Sequence, residues 1–170
     1  LHARQVLFSL IMVYEGTTRS LEFLKQNPEI EKVNLRIGQH HMEWIRGEIF
    51  LYGRQYDSAL VHFRKAEPVY GSDFNLNGKS AFFLELAQCH AAIGNTSEAI
   101  RYFSKTEEIS SALSDLNTQL ACIDSLQILY SRSGDFKTGY AYATKYNRLR
   151  TEFNVLNREK ELAIFLEQCV

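Results

Sequence analysis

Apolar residues recur at helical spacing along almost the whole chain. Phe82, Phe83, Leu86, Ala87 and Ile93 make one wide stripe, and Leu120, Ile123, Leu126, Leu129 and Tyr130 make another. Stripes of this width belong to helices that bury one face. No clear alternating strand pattern and no low-complexity tract interrupts them. The punctuation between stripes reads as helix ends. Gly16-Thr-Thr, Gly53-Arg-Gln, Gly94-Asn-Thr and Gly134-Asp each set a glycine past one helix and a polar cap before the next. Asn27-Pro28-Glu29 places a proline in a first helical turn. The pattern predicts helices over 2–15, 18–26, 31–52, 56–69, 77–93, 97–112, 115–133 and 137–167, which is four helix pairs.

Three of these stretches share a register. Ala59, Ala99 and Gly139 stand at an interval of 40 residues, each just inside a helix that follows a turn. A fixed period in this range signals a stacked array. Stacked helix pairs build extended concave surfaces, which serve binding more readily than catalysis.

The last predicted helix carries no stop signal after Gly139. Tyr142, Tyr146, Leu149, Phe153 and Leu156 are spaced 4, 3, 4, 3, a coiled-coil-like seam. The phase then slips, and Leu162, Phe165, Leu166 and Val170 lie on a different stripe. Two readings stand side by side here: a helix that leaves the array for something beyond residue 170, or one that caps the last repeat.

Composition narrows the class. With 170 residues, 45% hydrophobic and 23% charged, the chain can bury a sizeable core. The net charge of −1 lacks the basic excess of a generic nucleic-acid or membrane-surface binder. The apolar run Val6–Val13 is too short to span a bilayer and has no small-residue cleavage site after it, so it reads as a buried helix. Cys89, Cys122 and Cys169 are too few and too widely spaced for a disulfide framework or a zinc set. Reduced structural thiols in a cytoplasmic protein are the expectation. Residue 1 is Leu, and the chain reads as an excised piece of a longer protein.

The register resembles tetratricopeptide repeats, in which small and large apolar residues recur at set places in a helix–turn–helix unit. Gly47, Phe50, Tyr56, Ala59, Phe63 and Ala66 carry the likeness in the second repeat. Ala87, Ala99 and Phe103 carry it in the third, and Tyr130, Phe136 and Gly139 in the fourth. The chain departs from the family in its longer period, in His90 at an aromatic place, and in Thr106 and Tyr146 at a late small place. The likeness covers roughly residues 2–153, and its first repeat is weak. It implies an all-α fold, a right-handed superhelical array of antiparallel helix pairs over 1–153, with a long C-terminal helix over 140–170. Longer-helix arrays of this kind resemble those of bacterial regulatory proteins, where the array precedes a diguanylate cyclase, a histidine kinase or a DNA-binding domain. The implied role is a protein- or peptide-binding module rather than an enzyme, with no cofactor. A structural scaffold that self-associates through the last helix is the alternative.

In this family the first helix of each pair lines the groove. That register places His41, Trp44, Glu48 and Tyr52 in the groove from the second repeat, Glu85 and Gln88 from the third, and Asp124, Ser125 and Arg132 from the fourth. One sub-class clamps a terminal carboxylate with basic and amide side chains, but here carboxylates stand in their place. The groove is therefore expected to favour a basic or polar peptide, unless Glu48, Glu85 and Asp124 are simply solvated, and unless Trp44 simply packs between helices. Asp73-Phe-Asn75-Leu-Asn77-Gly78 matches half of a calcium loop, but the bidentate Glu falls on Leu84, so a capping turn is the reading. His40 and His41 point about 100° apart on a helix and cannot share a metal. His90 beside Cys89 reads as a core histidine. No phosphate loop or nucleophile elbow is present. Lys137, Lys145, Arg148 and Arg150 are followed by Glu152, Glu159 and Glu161, the mixed signs of a solvated face.

Overall fold

The computed structural model of the chain describes residues 16–28, 38–72 and 75–168. The predicted helix over 2–15 lies outside them, as do residues 31–37. Seven helices occur among the described residues: α1 (Gly16–Gln26), α2 (Gln39–Tyr52), α3 (Tyr56–Tyr70), α4 (Leu76–Ala92), α5 (Thr96–Ala112), α6 (Leu116–Arg132) and α7 (Phe136–Gln168). No strand occurs among them. The helix predicted over 31–52 begins at Gln39 instead, because Gly38 has φ 135 and ψ 157 and cannot sit inside a helix.

The 40-residue interval is written into the backbone. Arg54, Gly94 and Gly134 all have positive φ, at 58°, 79° and 87°. The amide of the next residue donates back to the carbonyl five earlier: Gln55 to Phe50, Asn95 to His90 and Asp135 to Tyr130, at 2.8, 2.9 and 3.0 Å. The positive-φ residues donate to Leu51, Ala91 and Ser131. This paired pattern is the Schellman C-cap, which satisfies the last carbonyls of one helix and reverses the chain. Turns this short fold the next helix back on the last, as α2 with α3 and α6 with α7 show. Helix starts are capped in the same rhythm: Asn75, Asp115 and Asp135 accept from the amides of Gly78, Thr118 and Thr138. Asn75 thus caps α4, as the turn reading expects.

The chain divides into two compact units, Leu1–Ala99 and Ile100–Val170. In the first, α1 lays Leu24, with Leu21 and Phe23, against Met42, Ile45 and Ile49 of α2. Helices α2 and α3 approach closely at Gly47, where a Cβ would stand 2.3 Å from Cε1 of the fully buried Phe63 ring. Gly47→Ala is therefore expected to destabilise the chain by about 1–3 kcal/mol, the usual cost of overpacking. Urea denaturation checks this, and an unchanged midpoint would contradict the close approach. Helix α4 then rests Phe82 on both α2 and α3, its ring 5.7 Å from Trp44 and 5.8 Å from Phe63.

In the second unit the rest of α5 joins α6 and α7. Cys122, Ile123 and Leu126 of α6 are wholly buried. Glu107 of α5 accepts from Gln119 of α6 at 3.1 Å and from Lys145 of α7 at 2.8 Å. Tyr142 of α7 stacks on Tyr130 of α6 with centroids 5.5 Å apart. The seam read from the sequence is therefore split. Its first half packs within the unit and Leu149 is buried, whereas Leu156 is exposed. Helix α7 rises about 50 Å and α6 about 25 Å at 1.5 Å per residue.

Candidate functional site

The candidate site is built where α2 faces α4 in the first unit. Residues 41, 44, 48 and 52 of α2 recur at helical spacing and share a face. Trp44 packs its ring edge-on against Tyr70 of α3, 4.5 Å away, and Phe82 of α4. Its Nε1–H donates to Oε2 of Glu85 at 2.5 Å. Nδ1 of His41 meets the Tyr70 hydroxyl at 2.8 Å, and the His41 ring lies edge-on to Trp44 at 6.0 Å. Burial lowers the His41 pKa.

Glu48 and Glu85 are hydrogen-bonded to each other across the two helices. Burial lifts the Glu48 carboxyl to about 7, although the hydrogen bond from Glu85 opposes it. Burial and then the charge of Glu48 hold Glu85 well above the carboxylate range, and donation to Glu48 adds to this while the Trp44 bond opposes it. Two carboxyl groups in hydrogen-bond contact need a proton between them, and both are shifted in the direction that keeps one there. The pair keeps at least one proton through neutral pH and titrates as a unit. Burial, then Glu85 and Glu48, also raise the pKa of the neighbouring Tyr52, whose ring is 48% exposed at the mouth of the site.

A second carboxylate on α2 shows what is unusual here. Glu43 is buried too, but it meets Arg46 at 2.9 Å, His62 at 2.8 Å and Lys65 at 3.5 Å. Burial pushes its pKa up, and the His62 hydrogen bond with the surrounding cations outweighs that, so the net shift is downward. Among the described residues, no cation figures in the groups that shift Glu48 and Glu85. Glu43 is a satisfied structural charge, whereas the Glu48–Glu85 pair is a carboxyl–carboxyl contact.

Comparison with protein-family models and with curated protein sequences finds no match to this chain.

The structure thus brings together His41, Trp44, Glu48 and Glu85, with Tyr52 beside them. Glu48 and Glu85 are partly exposed and in contact with each other, and Trp44 both packs and hydrogen-bonds. Gln88 is exposed on α4. Asp124, Ser125 and Arg132 belong to the second unit. There Asp124 accepts from Gln127 at 3.0 Å, Ser125 donates to the Ala121 carbonyl, and Arg132 lines a recess with Phe136 and Tyr140. Tyr70 was not legible as a site residue, because the groove register draws only on the first helix of each pair and Tyr70 ends the second. His90 is buried, as are the free thiols Cys89 and Cys122, both pushed up to about 12, mainly by burial. Such thiols are unreactive. No group of three or more His, Cys, Asp or Glu arranged to hold a metal ion occurs among the described residues. None of their helices is long and apolar enough to cross a membrane.

Proposed function

We propose that the chain is a protein- or peptide-binding module of the tetratricopeptide kind, acting in the cytoplasm as the regulatory part of a larger bacterial signalling protein. The observation that carries this reading is the Trp44–Glu85–Glu48 constellation with the exposed Tyr52 beside it. Aromatic anchors around a carboxylate pair suit a lysine or arginine side chain, which supplies a cation and an alkyl stem. The same features speak against a carboxylate-terminal ligand, which would meet like charge.

Trp44 is the only tryptophan, so its fluorescence reports on the site. A lysine- and arginine-rich peptide set is expected to give a saturable change, and an acidic set none. A bound cation favours the charged pair over the fully protonated one, so affinity rises with pH as Glu48 ionises. For a group titrating near 7, the gain from pH 6 to pH 8 is about tenfold. Glu48→Gln is expected to remove that dependence and weaken binding. Fluorescence that stays flat with every basic peptide, or binding indifferent to Glu48→Gln, would sink the reading.

The scaffold reading has its own support. Val155, Leu156, Leu162 and Ile164 are all exposed on the far half of α7.

A further inference from the structure

We infer that the far half of α7 is the first helix of a fifth repeat carried straight on, and that it covers the open face of α6 and α7 in a second copy of the chain, each copy giving and receiving. The inference rests on the self-association reading and is independent of the carboxylate pair.

The register supplies the first argument. Leu76 opens α4 and Leu116 opens α6, 40 residues apart, and Leu156 stands 40 further on. Phe82, Phe83 and Leu86 form the buried face of α4, and Cys122, Ile123 and Leu126 form that of α6. The next places in the sequence are Leu162, Ala163 and Leu166, all apolar. The stripe that seemed out of phase with the seam is in phase with the first helices of the repeats.

The turn supplies the second. Between α5 and α6 the chain reverses at Ser114, with φ 56. The equivalent place is Asn154, and α7 runs through it unbroken. While the helix is continuous, residues 156–168 cannot fold back onto their own α6–α7 face.

That face is the third. In the first unit, α4 covers the equivalent surface through Phe82 on Phe63, leaving Ala59, Leu60 and Phe63 at 0%, 4% and 0% exposure. Forty and eighty residues on, Leu60 becomes Ile100 and then Tyr140. Tyr140 is 76% exposed, with Phe136 and Ile128 also exposed around a recess of about 500 Å³. Contiguous exposed apolar surface marks an interaction site, and this face presents aromatic rings. The seat also fits its occupant. The places held by Glu48 and Glu85 in the first unit are Ile128 on the open face and Phe165 on the incoming segment, so a carboxyl pair is replaced by an apolar one. An element that continues past its own turn and seats in an identical neighbour is a reciprocal exchange.

Light scattering on the full chain tests this. The parent is expected at twice the 19.6 kDa chain mass. Tyr140→Glu and Leu162→Asp are each expected to give monomers of unchanged helicity by circular dichroism, since both side chains are exposed. Mixing the two variants is expected to restore a dimer, because one of the two seats in the mixed pair is intact. A monomeric parent overturns the exchange and the self-association reading together. A dimer that survives both single changes, or a mixture that stays monomeric at tenfold higher concentration, overturns the exchange alone.

Discussion

Glu48→Gln is expected to stabilise the chain at pH 8 while leaving it almost unchanged near pH 4. The sign follows from linkage. The folded-state pKa of Glu48 lies at about 7, above the ordinary 4.5. Between those values the folded chain holds more protons than the unfolded chain, so stability falls as pH rises. The contribution is fully present below about 4.5 and is lost by the time pH passes 7. The size of the loss is on the order of 3 kcal/mol. Glutamine keeps an oxygen that accepts from Glu85 and carries no charge to desolvate, so the variant escapes the loss. Glu43 does not blur the comparison, because its lowered pKa gives a dependence of opposite sign that sits at lower pH. Paired urea titrations of parent and variant at pH 4, 6 and 8 read the difference directly. A variant less stable than the parent at pH 8 would mean that the pair is solvated and that the Glu48 carboxyl is not raised.

The destabilisation has a functional counterpart. Residues that a fold keeps at a cost in stability concentrate where ligands bind. On the proposed reading, a cationic side chain beside the pair would favour its charged form and offset the cost of desolvating it. Ligand binding and the pH slope of stability therefore draw on one group, and both respond to Glu48→Gln.

Much of this architecture was legible in the sequence, because helix ends depend on local chemistry. Gly94 and Gly134 mark turns through their backbone freedom, and Asn75 and Asp115 mark starts through their short polar side chains. The turn at Gly53-Arg-Gln was readable too, but the positive φ falls on Arg54 rather than on Gly53, which has φ -76. Gly38 was missed as a start because no polar cap accompanies it. The site was legible only as a face. That α2 presents His41, Trp44, Glu48 and Tyr52 together follows from helical spacing alone. That Glu48 shares a proton with Glu85, while Glu43 on the same helix is surrounded by cations, depends on which helix lies opposite each of them. Spacing within one helix carries no such information. The far half of α7 shows the same limit in reverse. Its seam was visible, but only the burial of Leu149 and the exposure of Leu156 divide it into a packed part and a free part.

Phe82→Ala is expected to be the most damaging single change in the first unit. Phe82 is fully buried, and its ring meets Trp44, Phe63, Tyr70 and Phe83 with centroids 5.5–6.3 Å apart. Truncating a buried phenylalanine costs about 3–5 kcal/mol, through lost transfer energy and the cavity left behind. The edge-to-face contacts with Trp44 and Phe63 place this site toward the upper end. A domain is stable by only about 5–15 kcal/mol in total, so the loss is a large fraction. Phe82 also rests α4 on both α2 and α3, so its loss loosens the approach that brings Glu85 to Trp44 and Glu48. Phe82→Leu, which keeps most of the volume, is expected to recover part of the stability. The two variants therefore separate the cavity from the ring contacts. Thermal unfolding followed by Trp44 fluorescence reads both effects at once, since the indole is the probe and Phe82 is its neighbour. A Phe82→Ala chain that loses less than about 1 kcal/mol would show that α4 is held by something other than this ring. The acid pair would then need another explanation for its burial.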